Sequence, residues 1–219
     1  MADLQDKRTP PWHHPRSLYL TLYNALLLTL WTKILTLTLT NIYQTTNPST
    51  RSIFSATAAP TRWTQTLSLL EILHAANGLI NSPVSSTAIQ TLTRTIQVWM
   101  VWYFFPDTTS TSVTYVALVL AWSVADCIRY SYLLLNMYGV APAWLTWLRY
   151  TMFFVLYPVG IGSEWWLLYC VVEPGRRVRG WIPLVFYVCL MLYFPGAYRM
   201  YTYMMKQRKK RIGKKTRVK

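Results

Sequence analysis

Carboxylates are the scarcest chemistry in this sequence: seven Asp and Glu among 219 residues, against 22 Lys and Arg. Charged residues make up 13% of the chain and hydrophobic residues 53%. That is about half the charged share of a soluble protein. The balance excludes a soluble globular enzyme and a disordered chain. The formal charge of +15 is end-loaded, with nine basic residues in positions 206–219. A nucleic-acid-binding domain carries its basic patch on a folded surface, so nucleic acid is not an expected partner. Cysteine is nearly absent. Cys127, Cys170 and Cys189 are odd in number, far apart and each inside an apolar run, which argues against a disulfide framework. The histidines are His13, His14 and His74, no Cys or His pair has zinc-site spacing, and no glycine-rich phosphate loop occurs. Neither a metal nor a cofactor is therefore expected. The Asn47-Pro48-Ser49 triplet has proline at its centre and is not expected to be glycosylated.

What is present is a series of long apolar runs. A helix needs about 20 apolar residues to cross a bilayer. The first sixteen residues are polar and the next run is long enough to span, so no cleavable signal is expected. Spans are expected near 18–43, 63–80, 86–105, 113–138, 144–172 and 181–205, giving an all-α bundle of six transmembrane helices. The second is the weakest, because Glu71 and His74 interrupt it, and a re-entrant segment is its alternative. Breaks fall at Asn47-Pro48 with Arg51, at Asn81-Ser82-Pro83, at Pro106-Asp107, at Gly139 with Pro142, and at the loop 173–177. Trp12, Trp63, Trp144 and Trp181 sit near predicted ends, as interfacial belts require. Residues 1–205 would form the membrane domain and 206–219 a basic tail. Lys7, Arg8, Arg16 and the tail place both termini in the cytosol, which demands an even number of spans. Arg176, Arg177 and Arg179 run against that orientation, but the tail carries more charge.

Three carboxylates lie inside apolar spans, where a charge costs several kcal/mol unless paired or functional. Asp126 has Arg129 at i+3 on the same helical face, which predicts an internal ion pair. Glu71 and His74 share the same spacing and predict a hydrogen-bonded pair. Arg149, within aromatic sequence, is expected to have a structural role near the cytosolic mouth. Glu164 has no cation within a turn of it, so packing explains it least.

Seven residues before Glu164 stands Tyr157. Seven steps of about 100° return to within about 20° of two full turns, so the two project from one helix face, about 10.5 Å apart in rise. Side chains lean toward the N-terminus, so the carboxylate reaches back toward the phenol. Pro158 disturbs the ladder between them. Gly160 and Gly162 either permit close helix packing or clear room for a substrate. A phenol and a carboxylic acid facing one another away from water suit acid–base chemistry on a lipid, or a structural hydrogen bond. Residue spacing leaves both open.

Motifs across the whole chain carry a resemblance. They are Tyr19-Leu20-Thr21-Leu22-Tyr23-Asn24; Leu70-Glu71-Ile72-Leu73-His74 with Gly78, Ser82-Pro83 and Arg94; and Ile128-Arg129-Tyr130. Then come Trp147-Leu148-Arg149-Tyr150-Thr151, Leu156-Tyr157-Pro158-Val159-Gly160 with Glu164, and Met200-Tyr201 before Gln207-Arg208. In this order they resemble the 3-hydroxyacyl-CoA dehydratases of very-long-chain fatty acid elongation, also called protein tyrosine phosphatase-like proteins. Asn81 and Asp126 depart from the family's usual Arg and Glu. The resemblance implies six spans, an endoplasmic reticulum membrane location and dehydration of (3R)-3-hydroxyacyl-CoA to trans-2-enoyl-CoA. It also implies no cofactor, Tyr157 and Glu164 as the catalytic pair, and membrane lipids as surroundings. The condensing enzyme, the ketoacyl-CoA reductase and the enoyl-CoA reductase of elongation are the implied partners, and the basic tail is expected to hold anionic headgroups or coenzyme A phosphates.

Two other classes compete. A non-catalytic scaffold of the elongation complex would need neither Tyr157 nor Glu164. A transporter, suggested by Glu71, Arg94, Asp126 and Arg149, should show discontinuous segments in repeated halves, and none is found. The family's other name invites a phosphatase reading, with Cys170 six residues before Arg176. Val171, Val172 and Glu173 follow that cysteine, however, where phosphate needs a cradle of backbone amides.

Overall fold

The alternating Leu and Thr of the first apolar run form one helix, α1 (Pro15–Tyr43). Threonine hydroxyls are tolerable there because most return their proton to a carbonyl one turn back. Thr29 donates to Ala25, Thr38 to Ile34 and Thr40 to Thr36, at 2.8–2.9 Å. In a bilayer that internal bonding replaces water. The computed structural model describes residues 15–43, 49–80 and 82–212. Lys7, Arg8, Trp12, the Asn47-Pro48 break, Asn81 and the end of the basic tail lie outside the described residues.

After α1 come α2 (Thr50–Leu67) and α3 (Leu70–Ala76), then α4 (Val84–Ile96), which widens into a π-helix over Gln97–Tyr103. A short α5 (Pro106–Ser110) leads to α6 (Val113–Met137). The helices α7 (Ala143–Thr151), α8 (Phe153–Cys170) and α9 (Val172–Val178) run on as one rod, and α10 (Ile182–Ile212) ends the series. No strand occurs among the described residues. Four helices are long and apolar enough to cross a membrane: Pro15–Tyr43, Val113–Met137, Ala143–Val178 and Ile182–Lys210. The other two rods, α2–α3 and α4 with its π-helix, carry Arg51, Arg62, Glu71 and Arg94 and do not reach that measure.

Three boundaries differ from expectation. Arg51 begins a helix instead of standing in a loop, so the second rod starts at Thr50 and not near Trp63. Glu173 to Arg177 is helical too: Pro174 sits in the first turn of α9, where no amide donor is missed, and Arg176 reaches Glu173 at 3.7 Å. The last helix runs seven residues past Met205, because Lys, Arg and Gln are good helix formers.

Two glycines close helices in the left-handed region, Gly78 at φ +66° after α3 and Gly139 at φ +71° after α6. In each turn the next residue's amide reaches back to a carbonyl inside the helix: Leu79 to His74 at 2.8 Å, and Val140 to Leu135 at 3.0 Å. Arg16, at the start of α1, donates to the Gly78 and Leu79 carbonyls, both at 2.7 Å.

Helix α6 is central, packing against α1, α2, α7 and α8, while α8 also meets α10. The core is aromatic: Trp31, Trp102, Tyr115 and Tyr130 are almost wholly buried, with Leu27, Leu118 and Leu167 between them. Thr21 near the start of α1 bonds Tyr138 at the end of α6 (2.9 Å), and the second half of α10 meets the start of α8 through Tyr201 and Phe153. The beginning of α1 and the end of α10 therefore lie toward the same end of the bundle.

Candidate active site

Glu164 lies in the middle of α8, 6% exposed, with its side chain turned toward α6 and α10. Each carboxylate oxygen accepts one hydrogen bond: Oε1 from Trp122 Nε1 on α6 at 2.9 Å, and Oε2 from the Tyr193 hydroxyl on α10 at 3.1 Å. Among the described residues no cation forms an ion pair with it. Two neutral donors orient the carboxylate without neutralising it. Gly160 packs beside this arrangement, where a Cβ would stand in ordinary contact with Trp122 Nε1 at 4.0 Å.

Tyr157 projects from the same helix toward α10 but does not meet Glu164. Its hydroxyl donates to the Ala197 carbonyl at 3.2 Å, and its ring lies 6.1 Å from that of Tyr201. Tyr157 lines a groove between α8 and α10, and Glu164 lies behind that groove, joined to it by Tyr193, which lines it. Tyr157, Pro158, Ala197 and Tyr201 line a hollow of about 280 Å³, and Ile161, Gly162, Trp165 and Tyr193 line a second of about 350 Å³. Ile161 and Ala197 belong to both. Nothing stands within 4 Å of where a Cβ on Gly162 would be, so that glycine leaves the groove open. Its lining is almost wholly apolar apart from the phenols, which suits an acyl chain better than an ion.

Behind Trp122 lies a charged layer. The Arg94 guanidinium sits 4.9 Å from the centroid of the Trp122 ring and pairs with Asp126. Arg129 pairs with Glu71, which also accepts from the Tyr130 hydroxyl at 2.5 Å. The expected Asp126–Arg129 contact is present, but it is the longer one at 3.6 Å, and each residue has a nearer partner on another helix. The expected Glu71–His74 pair does not form. His74 Nε2 bonds the Tyr19 hydroxyl at 2.8 Å, and the ring packs edge-on against Tyr23. Arg149 is caged by Tyr132 and Tyr150, its guanidinium 4.5 and 5.7 Å from the two ring centroids.

Sequence reasoning missed Trp122 and Tyr193, which hold Glu164 from 42 and 29 residues away. Helix periodicity connects residues within one helix and is blind to partners on others. The π-helix was missed as well. It carries Trp102, which stacks on Trp122 with ring centroids 5.5 Å apart. Cys170 and Arg176 do not form a phosphate cradle: Cys170 ends α8, and Arg176 is exposed and paired with Glu173. No cluster of His, Cys, Asp and Glu able to hold a metal occurs among the described residues.

A family model described as protein tyrosine phosphatase-like protein, PTPLA, matches residues 65–214. A probable very-long-chain (3R)-3-hydroxyacyl-CoA dehydratase of Schizosaccharomyces pombe is 37% identical over 192 residues, covering 88% of this chain and 91% of the relative. The dehydratase PASTICCINO 2 of Arabidopsis thaliana is 35% identical over 216 residues, covering 92% and 96%. The human very-long-chain (3R)-3-hydroxyacyl-CoA dehydratase 2 is 29% identical over 205 residues, covering 88% and 80%. No solved structure matches. With a family match across most of the chain and relatives aligned nearly end to end, this chain belongs to the protein tyrosine phosphatase-like (PTPLA) family.

Proposed function

We propose that this protein is a hydro-lyase that removes water from very-long-chain (3R)-3-hydroxyacyl-CoA, giving trans-2-enoyl-CoA in fatty acid elongation. The observation that carries the reading is the buried Glu164 carboxylate, held in no ion pair among the described residues and oriented by Trp122 and Tyr193, with Tyr193 and Tyr157 lining the apolar groove beside it. The names of the relatives point to the same reaction.

Dehydration takes a proton from C2, beside the thioester, and releases hydroxide from C3, so a base and an acid are both needed. Glu164 already accepts from two donors and Tyr157 already donates its proton to a carbonyl oxygen. Those states fit Glu164 as the base and Tyr157 as the donor to the departing oxygen. The C2–H electron pair becomes the new C2=C3 bond, the C3–O pair leaves with oxygen, and the Tyr157 proton completes the water. Glu164 then releases its proton to solvent and the phenol regains one from solvent, which resets both groups.

Around this centre the reading includes six spans, residues 1–205 as the membrane unit and 206–219 as a basic tail. It places the protein in the endoplasmic reticulum membrane, with both termini cytosolic and the other elongation enzymes as partners. The shared end of α1 and α10 supports the even span number. Protease added to intact microsomes should remove the tail, and a protected tail would reverse the orientation. The central test is purified protein with 3-hydroxyacyl-CoA. Tyr157→Phe and Glu164→Gln should each lower turnover by about 10²–10⁴-fold while leaving membrane insertion intact. Near-normal turnover in Glu164→Gln would overturn the mechanism.

A further inference from the structure

The α8–α10 groove has a cationic end. Arg208 lies near the end of α10, and its guanidinium turns inward, 5.3 Å from the centroid of the Phe154 ring. Its Nε is buried without a hydrogen-bond partner, and no carboxylate among the described residues forms an ion pair with it. Its neighbours Lys206, Lys209 and Lys210 are exposed, so among the described basic side chains of this stretch the inward turn belongs to Arg208. A guanidinium has five N–H donors and no acceptor, and a buried donor left unpaired is destabilising. The position therefore suits an anion that the described fold does not itself supply.

An aromatic ladder joins Arg208 to the candidate active site. Phe154 lies 6.3 Å from Tyr201, and Tyr201 lies 6.1 Å from Tyr157, ring centroid to centroid. Tyr157 docks on Ala197, and Arg208 follows eleven residues later on the same helix, a rise of about 16 Å. In an acyl-CoA the pantetheine arm separates the thioester from the first phosphates by about four extended peptide-like units, roughly 14 Å. The guanidinium reaches back from that rise to Phe154, three residues before Tyr157 on α8, so an extended arm is long enough to span the gap.

We propose that Arg208 binds the phosphates of the substrate's coenzyme A, setting the thioester between Tyr157 and Glu164. The planar fork of Arg suits a phosphate diester better than the point charge of Lys, and the exposed lysines beside it draw the anion in. The proposal rests on the dehydratase reading for the identity of the thioester. Its ligand chemistry is tested separately.

The experiment compares binding of free coenzyme A and of pantetheine, which lacks the nucleotide and its phosphates, to the full chain in neutral-lipid nanodiscs. The wild type should bind coenzyme A about tenfold or more tightly than pantetheine, the scale of lost charged hydrogen bonds. Arg208→Gln should erase most of that preference, Arg208→Lys should recover part of it, and Lys209→Gln should keep most of it. An unchanged preference in Arg208→Gln overturns the proposal, as do equal losses in Arg208→Gln and Lys209→Gln, the mark of diffuse attraction. If, in a second arm with anionic lipid added to the nanodiscs, Arg208→Gln keeps its coenzyme A affinity and loses only retention of that lipid, the site belongs to a headgroup and the proposal also fails. Should the Gln variant unfold, Arg208→Lys decides, because it keeps the charge and loses the fork: unaltered affinity there counts against the site. A wild type that binds coenzyme A but makes no enoyl product strikes the dehydratase reading alone.

Discussion

Glu164 shares its two oxygens between Trp122 and Tyr193, and that division predicts graded consequences at the residue scale. Tyr193→Phe and Trp122→Phe each remove one donor and keep an aromatic ring. Each should lower turnover by about tenfold, the worth of one hydrogen bond to a charged group, with little change in KM. In a Glu164→Gln background the same changes should cost little more, because both act through the carboxylate. Multiplying losses in those double variants would show a role independent of Glu164. That Tyr157 and Glu164 lie on one helix was legible in the sequence, because an apolar run this long must be helical. Their separate bonding was not, since Ala197 and Tyr193 stand on another helix.

At the scale of elements, spacing within a helix named the charged residues correctly and the pairing incompletely. Asp126 and Arg129 do touch, but Asp126 pairs chiefly with Arg94 on α4 and Arg129 with Glu71 on α3. Neighbouring helices bring partners closer than the same helix does at i+3. Arg129→Gln should cost about 3–5 kcal/mol of unfolding free energy in mixed micelles, because it strands a buried carboxylate. Glu71→Gln combined with Arg129→Gln should cost less than the sum of the two single changes. An additive double variant would show that the two residues are not coupled. Helix boundaries were legible where apolarity changed sharply, as at Val113 and Ile182. They were illegible at Thr50, where polar residues enter a helix held by its neighbours.

At the scale of the whole molecule, the all-α architecture was legible from composition and run length, because a chain this apolar must satisfy its backbone internally. The number of spans was less so. Two of the six rods carry ionised residues whose partners lie elsewhere in the chain, and hydropathy counts such residues one at a time. The same ion pairs impose an order on the birth of the protein. Glu71 precedes Arg129 by 58 residues and Arg94 precedes Asp126 by 32. At about 5–20 residues per second of synthesis, Glu71 waits several seconds for its counter-charge. Each waiting charge adds about 2.5–3.5 kcal/mol to insertion if it sits at the bilayer centre. A chain cut after Thr111 should therefore integrate its middle rods poorly in a microsomal insertion assay, and one cut after Tyr138 should integrate them well. Equal integration of the two would mean that the early rods settle without α6. The ionic layer behind Trp122 then acts as a latch, closed only when the fourth rod arrives, so that a half-made bundle cannot be mistaken for a finished one.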